Sequence, residues 1–197
     1  LQYLAILLLF AAVLDYDNCC EIKIKRADQR FLTAAAAVMA AASLYFGAVN
    51  GAACLGNHRL SVKLDPAYTD SLVALMAEEP DIAVADEYAQ RVLELDRYVA
   101  LAYRIRAMAA YSQGDMANMI QYQKSAIACA PYDKTLYTDY LQMLETGAAL
   151  YAQAGDTQST AACREQMNAV PDMMEAALQN TSRLGWLIDD KPDLTLP

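Results

Sequence analysis

Residues 100–131 read ALAYRIRAMAAYSQGDMANMIQYQKSAIACAP, and the order of large and small residues in this stretch decides the fold. Tyr103 is bulky and Ala107, four positions on, is small. Positions i and i+4 share a helix face, so the pair marks a place where a second helix can come close. Gly114-Asp115 follows. Glycine takes the left-handed backbone that closes a helix, and aspartate accepts the free N–H groups that open the next. Ala126 supplies a second small contact and Pro131 closes the unit. The stretch predicts two antiparallel helices.

The same punctuation recurs on both sides. Leu64-Asp65-Pro66-Ala67-Tyr68, Leu95-Asp96-Arg97-Tyr98, Ala130-Pro131-Tyr132 and, more weakly, Val170-Pro171 follow one another at spacings of 31, 34 and 40. Pro80-Asp81, Gly114-Asp115 and Gly155-Asp156 interleave with them at 34 and 41. Two alternating breakers with a period near one helix pair predict pairs stacked into a solenoid. The unit before has Leu72, Val73, Ala85, Ala89 and Val92 at equivalent positions, with Pro80 in place of the turn glycine. The unit after departs from the period. Counting back from Gly155 puts Ala148 and Tyr151 in register, whereas counting forward from Pro131 lands seven residues earlier. Seven residues are two helical turns, so the first helix is expected to lengthen to 134–153. A second helix over 157–169 follows, its small residues limited to Ala161 and Ala162, and an amphipathic helix over 172–184 caps the stack. This pattern resembles the tetratricopeptide repeat, best over 100–131, and assigns residues 57–197 to a tetratricopeptide-like helical domain.

Composition agrees. Of 197 residues, 56% are hydrophobic and 20% charged, enough apolar surface to fold rather than stay disordered. Five cysteines are too few for a disulfide-framed miniature fold, and seven glycines with long Ala, Leu, Met and Gln runs leave little strand signal. The expected class is all-α. Residues 60–197 hold 10 Lys+Arg against 20 Asp+Glu, an acidic balance that excludes nucleic acid as a partner.

The N-terminal third reads differently. No charged residue lies between Arg30 and Arg59. Residues 31–56 are long enough to cross a bilayer as a helix, and their many alanines suit packing against neighbouring transmembrane helices. The same stretch also fits an Ala-rich helix buried in a soluble bundle. Leu1 to Leu14 is apolar but short; it reads as the end of a truncated transmembrane helix, with a signal peptide as the competing reading. Lys23, Lys25, Arg26 and Arg30 lie between these runs. By the positive-inside rule they put residues 15–30 in the cytoplasm and the repeats outside. The expected location is a cell membrane, multi-pass, with membrane lipid as a partner.

Signals for chemistry are few. His58 is the only histidine, which leaves no histidine cluster for a metal, and Cys19-Cys20 lacks metal spacing. Juxtamembrane cysteines suit acylation or simple packing. Glu78-Glu79, Asp86-Glu87 and Asp189-Asp190 are adjacent pairs whose side chains diverge on a helix. No phosphate-cradling glycine loop or nucleophile elbow occurs. No catalytic residue, metal or cofactor is assigned. In a tetratricopeptide-type stack the first helices line a concave groove; there Leu101, Arg104, Met108 and Tyr111 would face inward, joined by Gln142 and Glu145 on either alignment of the long helix. These side chains suit a peptide or a sugar, and equally suit ordinary inter-helix contact.

Taken with Lys23-Ile24-Lys25-Arg26, the span from Phe31, Leu64-Asp65-Pro66, Tyr98-Val99-Ala100-Leu101-Ala102-Tyr103, Ala130-Pro131-Tyr132-Asp133 and the tail Ile188-Asp189-Asp190-Lys191-Pro192-Asp193-Leu194, the chain resembles the C-terminal part of bacterial O-antigen ligase and polymerase-like membrane proteins. The resemblance implies a non-catalytic portion of a polytopic enzyme that transfers or polymerises undecaprenyl-linked glycans, with a glycan carrier or an envelope protein as partner. The family's Arg and His lie upstream of this piece, and none is carried over. A membrane-anchored scaffold for envelope assembly or secretion, without an enzymatic parent, is the second expectation.

Overall fold

The computed structural model describes residues 26–179, with side chains from residue 33. The expectations for residues 1–25 and 180–197 lie outside the described residues. Those described are all-α, in eight helices: α1 Arg26–Cys54, α2 His58–Leu64, α3 Thr69–Glu78, α4 Ile82–Leu95, α5 Ala100–Ser112, α6 Met116–Cys129, α7 Lys134–Gln153 and α8 Thr157–Gln179. The described residues divide into two compact units, with the boundary between Pro66 and Ala67.

In the first unit, α1 is long because nothing in it stops a helix, and over Thr33–Cys54 it is long and apolar enough to cross a membrane. Gly56 ends it at φ +74°. The Gly56 N–H reaches the Ala53 carbonyl at 2.9 Å and the Asn57 N–H the Ala52 carbonyl at 2.9 Å. This paired closure satisfies carbonyls that the end of a helix leaves free. Asn57 then caps α2, its side chain accepting from the Leu60 N–H at 3.1 Å.

The second unit repeats this device twice. Gly114 and Gly155 both have φ +76°, and the N–H of Asp115 and of Asp156 reaches the carbonyl of Ala110 and of Tyr151, each at 2.9 Å. The two carboxylates accept from the N–H of Asn118 and Ser159. Each glycine–aspartate pair therefore ends one helix and starts the next within three residues. Four-residue links, 96–99 and 130–133, alternate with these. Consecutive helices pack against one another from α3 to α8, and α3 also touches α5.

Small residues sit where the helices meet. Ala89, Ala102, Ala107 and Ala126 are fully buried, as expected for Ala89, Ala107 and Ala126. Helix α7 has the expected bounds and supplies the largest core side chains, Tyr137 and Tyr140. Their hydroxyls donate to the Pro131 carbonyl at 2.9 Å and to Gln166 Oε1 at 3.3 Å.

Two expectations for the last pair are corrected. Ala161 and Ala162 are exposed, and the tight approach in this region is at buried Gly147 of α7, where an added Cβ would stand 2.6 Å from Met116 Cε of α6, with Cys163 Sγ of α8 farther off at 3.9 Å. Val170-Pro171 is not a helix end, because α8 runs continuously through Pro171. Val170 and Met174, one turn apart, are both buried in the core, and their burial outweighs the hydrogen bond that proline cannot donate.

Pro171→Ala restores that donor on an exposed helix face and is expected to stabilise the unit by about 1–3 kcal/mol, seen as a raised midpoint in thermal melts of the full chain. Hydrogen bonds from Asn118 and from Ser159 hold the Asp115 and Asp156 carboxyls below their ordinary value of 3.8. Their contribution is therefore complete above that value and is lost as pH falls through the lower folded-state value. Between pH 5 and about pH 2.5 the wild-type Tm should fall more steeply than that of Asp115→Asn/Asp156→Asn, which keeps both caps without the titration.

Candidate functional site

Helices α3, α5 and α7, the first of each pair, turn one face to a common cavity of about 530 Å³. Arg104, Met108 and Tyr111 stand at i, i+4 and i+7 on α5, and Asp139, Gln142 and Met143 at i, i+3 and i+4 on α7, so each set shares a face. The adjoining faces are held in the core by Ala107 and Ala110 on α5 and by Tyr140 and Leu144 on α7. Met76 and Pro80 close the cavity from the end of α3, and Ile82 and Ala85 from the start of α4. The walls are mostly apolar, with Glu79, Arg104, Tyr111, Ser112, Asp139 and Gln142 as the polar groups that can set a ligand's orientation.

One ion pair crosses it. Arg104 Nε donates to Asp139 Oδ2 at 2.6 Å, joining α5 to α7 across 35 residues of sequence. The side chains are 34% and 25% exposed, so the pair is partly shielded from water. It uses one of the five N–H donors of the guanidinium. Arg106, two positions away, points elsewhere: it donates to Asp86 Oδ1 at 3.2 Å, and its guanidinium lies 4.5 Å from the centre of the Tyr122 ring. That arginine ties α4 and α6 to α5, while Arg104 serves the cavity.

Of the six residues expected to face the groove, Arg104, Met108, Tyr111 and Gln142 line it. Leu101 and Glu145 do not. Leu101 is half-buried one turn before Arg104, and Glu145 is exposed one turn beyond Gln142. Asp139, Ile105, Met143 and Met76 were not anticipated. Asp139 had a signal: it lies one period after Arg104, carries the opposite charge and precedes Gln142 by three residues.

The groups with acid–base or nucleophilic potential are arranged otherwise. Burial pushes the Cys163 thiol up; burial and then the Asp96 carboxylate do the same for Cys129, so both remain protonated thiols. Burial raises Tyr140 to about 12, which keeps it a hydrogen-bond donor. His58 opens α2 in the other unit. Among the described residues no three His, Cys, Asp or Glu side chains gather as a metal site. A second cavity, near 580 Å³, lies at the start of α8 beside Thr157 and Arg164, where Asp156 already caps the helix. The α3–α5–α7 cavity is thus suited to binding by shape and a few directed polar contacts.

No protein-family model, no curated protein and no solved structure matches this chain.

A double-mutant cycle with Arg104→Met and Asp139→Asn, read by chemical denaturation, should give a coupling of about 1 kcal/mol that shrinks in high salt, the behaviour of a partly exposed pair.

Proposed function

We propose that the chain is a membrane-anchored binding module built from tetratricopeptide-type helix pairs. In this reading α1 crosses the cell membrane, residues 15–30 lie in the cytoplasm, and the 67–197 unit lies outside, offering the α3–α5–α7 groove to an envelope glycan or protein. The observation that carries it is the convergence of Arg104, Met108, Tyr111 and Gln142, from two first helices, on one cavity. Supporting it are the repeated glycine–aspartate links, the small residues buried at the crossings and the apolar length of α1. Apolar walls interrupted by a few polar groups suit a ligand that alternates flat apolar faces with hydroxyls or amides.

We further propose, on the sequence resemblance, that the module is the non-catalytic C-terminal portion of a polytopic ligase or polymerase of the O-antigen ligase type. Its groove would hold a lipid-linked glycan, or a partner protein, near a catalytic site elsewhere in the parent. Catalysis is assigned to none of the residues described.

The test is made in the source cell with the complete gene. Met108→Asp/Gln142→Ala places an uncompensated charge in the groove and removes an amide, without touching the core. Surface polysaccharide should fall about tenfold or lose its normal length distribution, with the protein's membrane abundance unchanged, since losing a few contacts of this kind costs on the order of 1–3 kcal/mol. Wild-type polysaccharide in that variant would overturn the glycan-enzyme reading. Failure of a photocrosslinker at position 108 to capture either glycan or protein would overturn the groove itself.

A further inference from the structure

The first unit holds an arrangement that the groove does not use: α2 folds back along α1. Val49 and Ala52 of α1 are buried, as is Ser61 of α2, whereas residues 33–48 are exposed along their whole length. The Tyr45 hydroxyl donates to the Leu64 carbonyl at 3.2 Å. The end of α2 is therefore level with Tyr45, nine residues before Cys54 and about 13 Å down the axis of α1. This fold-back carries His58, Arg59 and Lys63 alongside the last turns of α1.

That geometry limits how far α1 can be immersed. Hydrocarbon offers no partner to Arg59 and Lys63, both exposed on α2 and four residues apart on one face. Burying Val49 and Ala52 under α2 gains free energy in water and little in lipid, whose tails are as apolar as the side chains they would replace. At the level where the fold-back ends stand Tyr45 and Phe46, edge to face with ring centres 5.4 Å apart. Aromatic rings of this kind favour the membrane–water interface.

We propose that the outer membrane boundary on α1 lies at Tyr45–Phe46, not at Cys54, and that the last two turns of α1 with α2 form a hairpin above the hydrocarbon whose Arg59 and Lys63 contact phospholipid phosphates. This rests on the reading that α1 crosses a bilayer. The uncharged helix left in hydrocarbon, residues 31–46, is about 24 Å long against a core of about 30 Å, a mismatch that a bilayer absorbs by local thinning. Basic side chains just above an aromatic belt also match the negative potential of anionic headgroups.

The native Cys54 is an exposed reporter of this boundary. A nitroxide is attached to it in the full chain carrying Cys19→Ser, Cys20→Ser, Cys129→Ser and Cys163→Ala, reconstituted in phosphatidylcholine–phosphatidylglycerol vesicles. Matching labels at Ala42→Cys and Val38→Cys are made with Cys54→Ser added; either suffices if the other fails to fold. Collision with a water-soluble nickel chelate should be at least about tenfold more frequent at 54 than at 42 or 38, and oxygen collision should show the reverse order, because hydrocarbon excludes the chelate. If 54 is shielded as well as 42, the boundary lies at Cys54 and the proposal is wrong while the crossing stands. If all three sites meet the chelate as freely as in water, α1 is outside the bilayer, and the crossing and the boundary fail together.

Discussion

The structure depends on how the chain reverses between helices. An α-helix ends with carbonyls that have no partner and begins with N–H groups that have none, and each helix pair needs both ends satisfied in a very short link. Gly56-Asn57, Gly114-Asp115 and Gly155-Asp156 solve this with one device: the glycine takes positive φ, the next backbone N–H reaches back to a carbonyl, and that residue's side chain caps the following helix. Because the link is only three residues long, the two helices must lie against each other. Their contact faces must then be small, which accounts for buried Ala107 and Ala126. The second unit follows from that constraint, with four-residue links joining one pair to the next.

The groove is a consequence of the same alternation. When each second helix covers the back of its partner, the first helices are left to line a shared face. Met76, Ile105, Met108 and Met143 give that face its apolar character, and flexible thioethers adapt to ligands of uneven shape. The Arg104–Asp139 pair bridges α5 and α7 and fixes the position of a guanidinium in a setting otherwise short of charge. Such a group orients a ligand more than it adds affinity, because a partly exposed pair contributes little net stability.

The first unit uses its link for a different end. The turn at Gly56-Asn57 lays a short helix with two basic residues back along a long apolar one, so that α1 has two environments along its length: exposed over 33–48 and packed beyond. A hydropathy profile reads the whole of Thr33–Cys54 as one segment. The packing divides it.

Helix class, the link positions, the lengthened α7 and four of the six groove residues were all legible in the residues themselves. Each rests on local chemistry: a glycine's backbone freedom, an aspartate's capping oxygen, a periodicity of 3.6, a seven-residue insertion equal to two turns. The failures lie where distant contacts outweighed a local signal. Pro171 reads as a helix stop, yet Val170 and Met174 are anchored in the core and the helix continues. Ala161 and Ala162 have the right size but the wrong phase, and it is their neighbour Cys163 that is buried in the core. Leu101 and Glu145 lie on the helices that line the cavity but are not part of its lining. Local propensity is written residue by residue along the chain, whereas burial and the reach of a cavity belong to helices that meet only after folding, and no single segment carries that information.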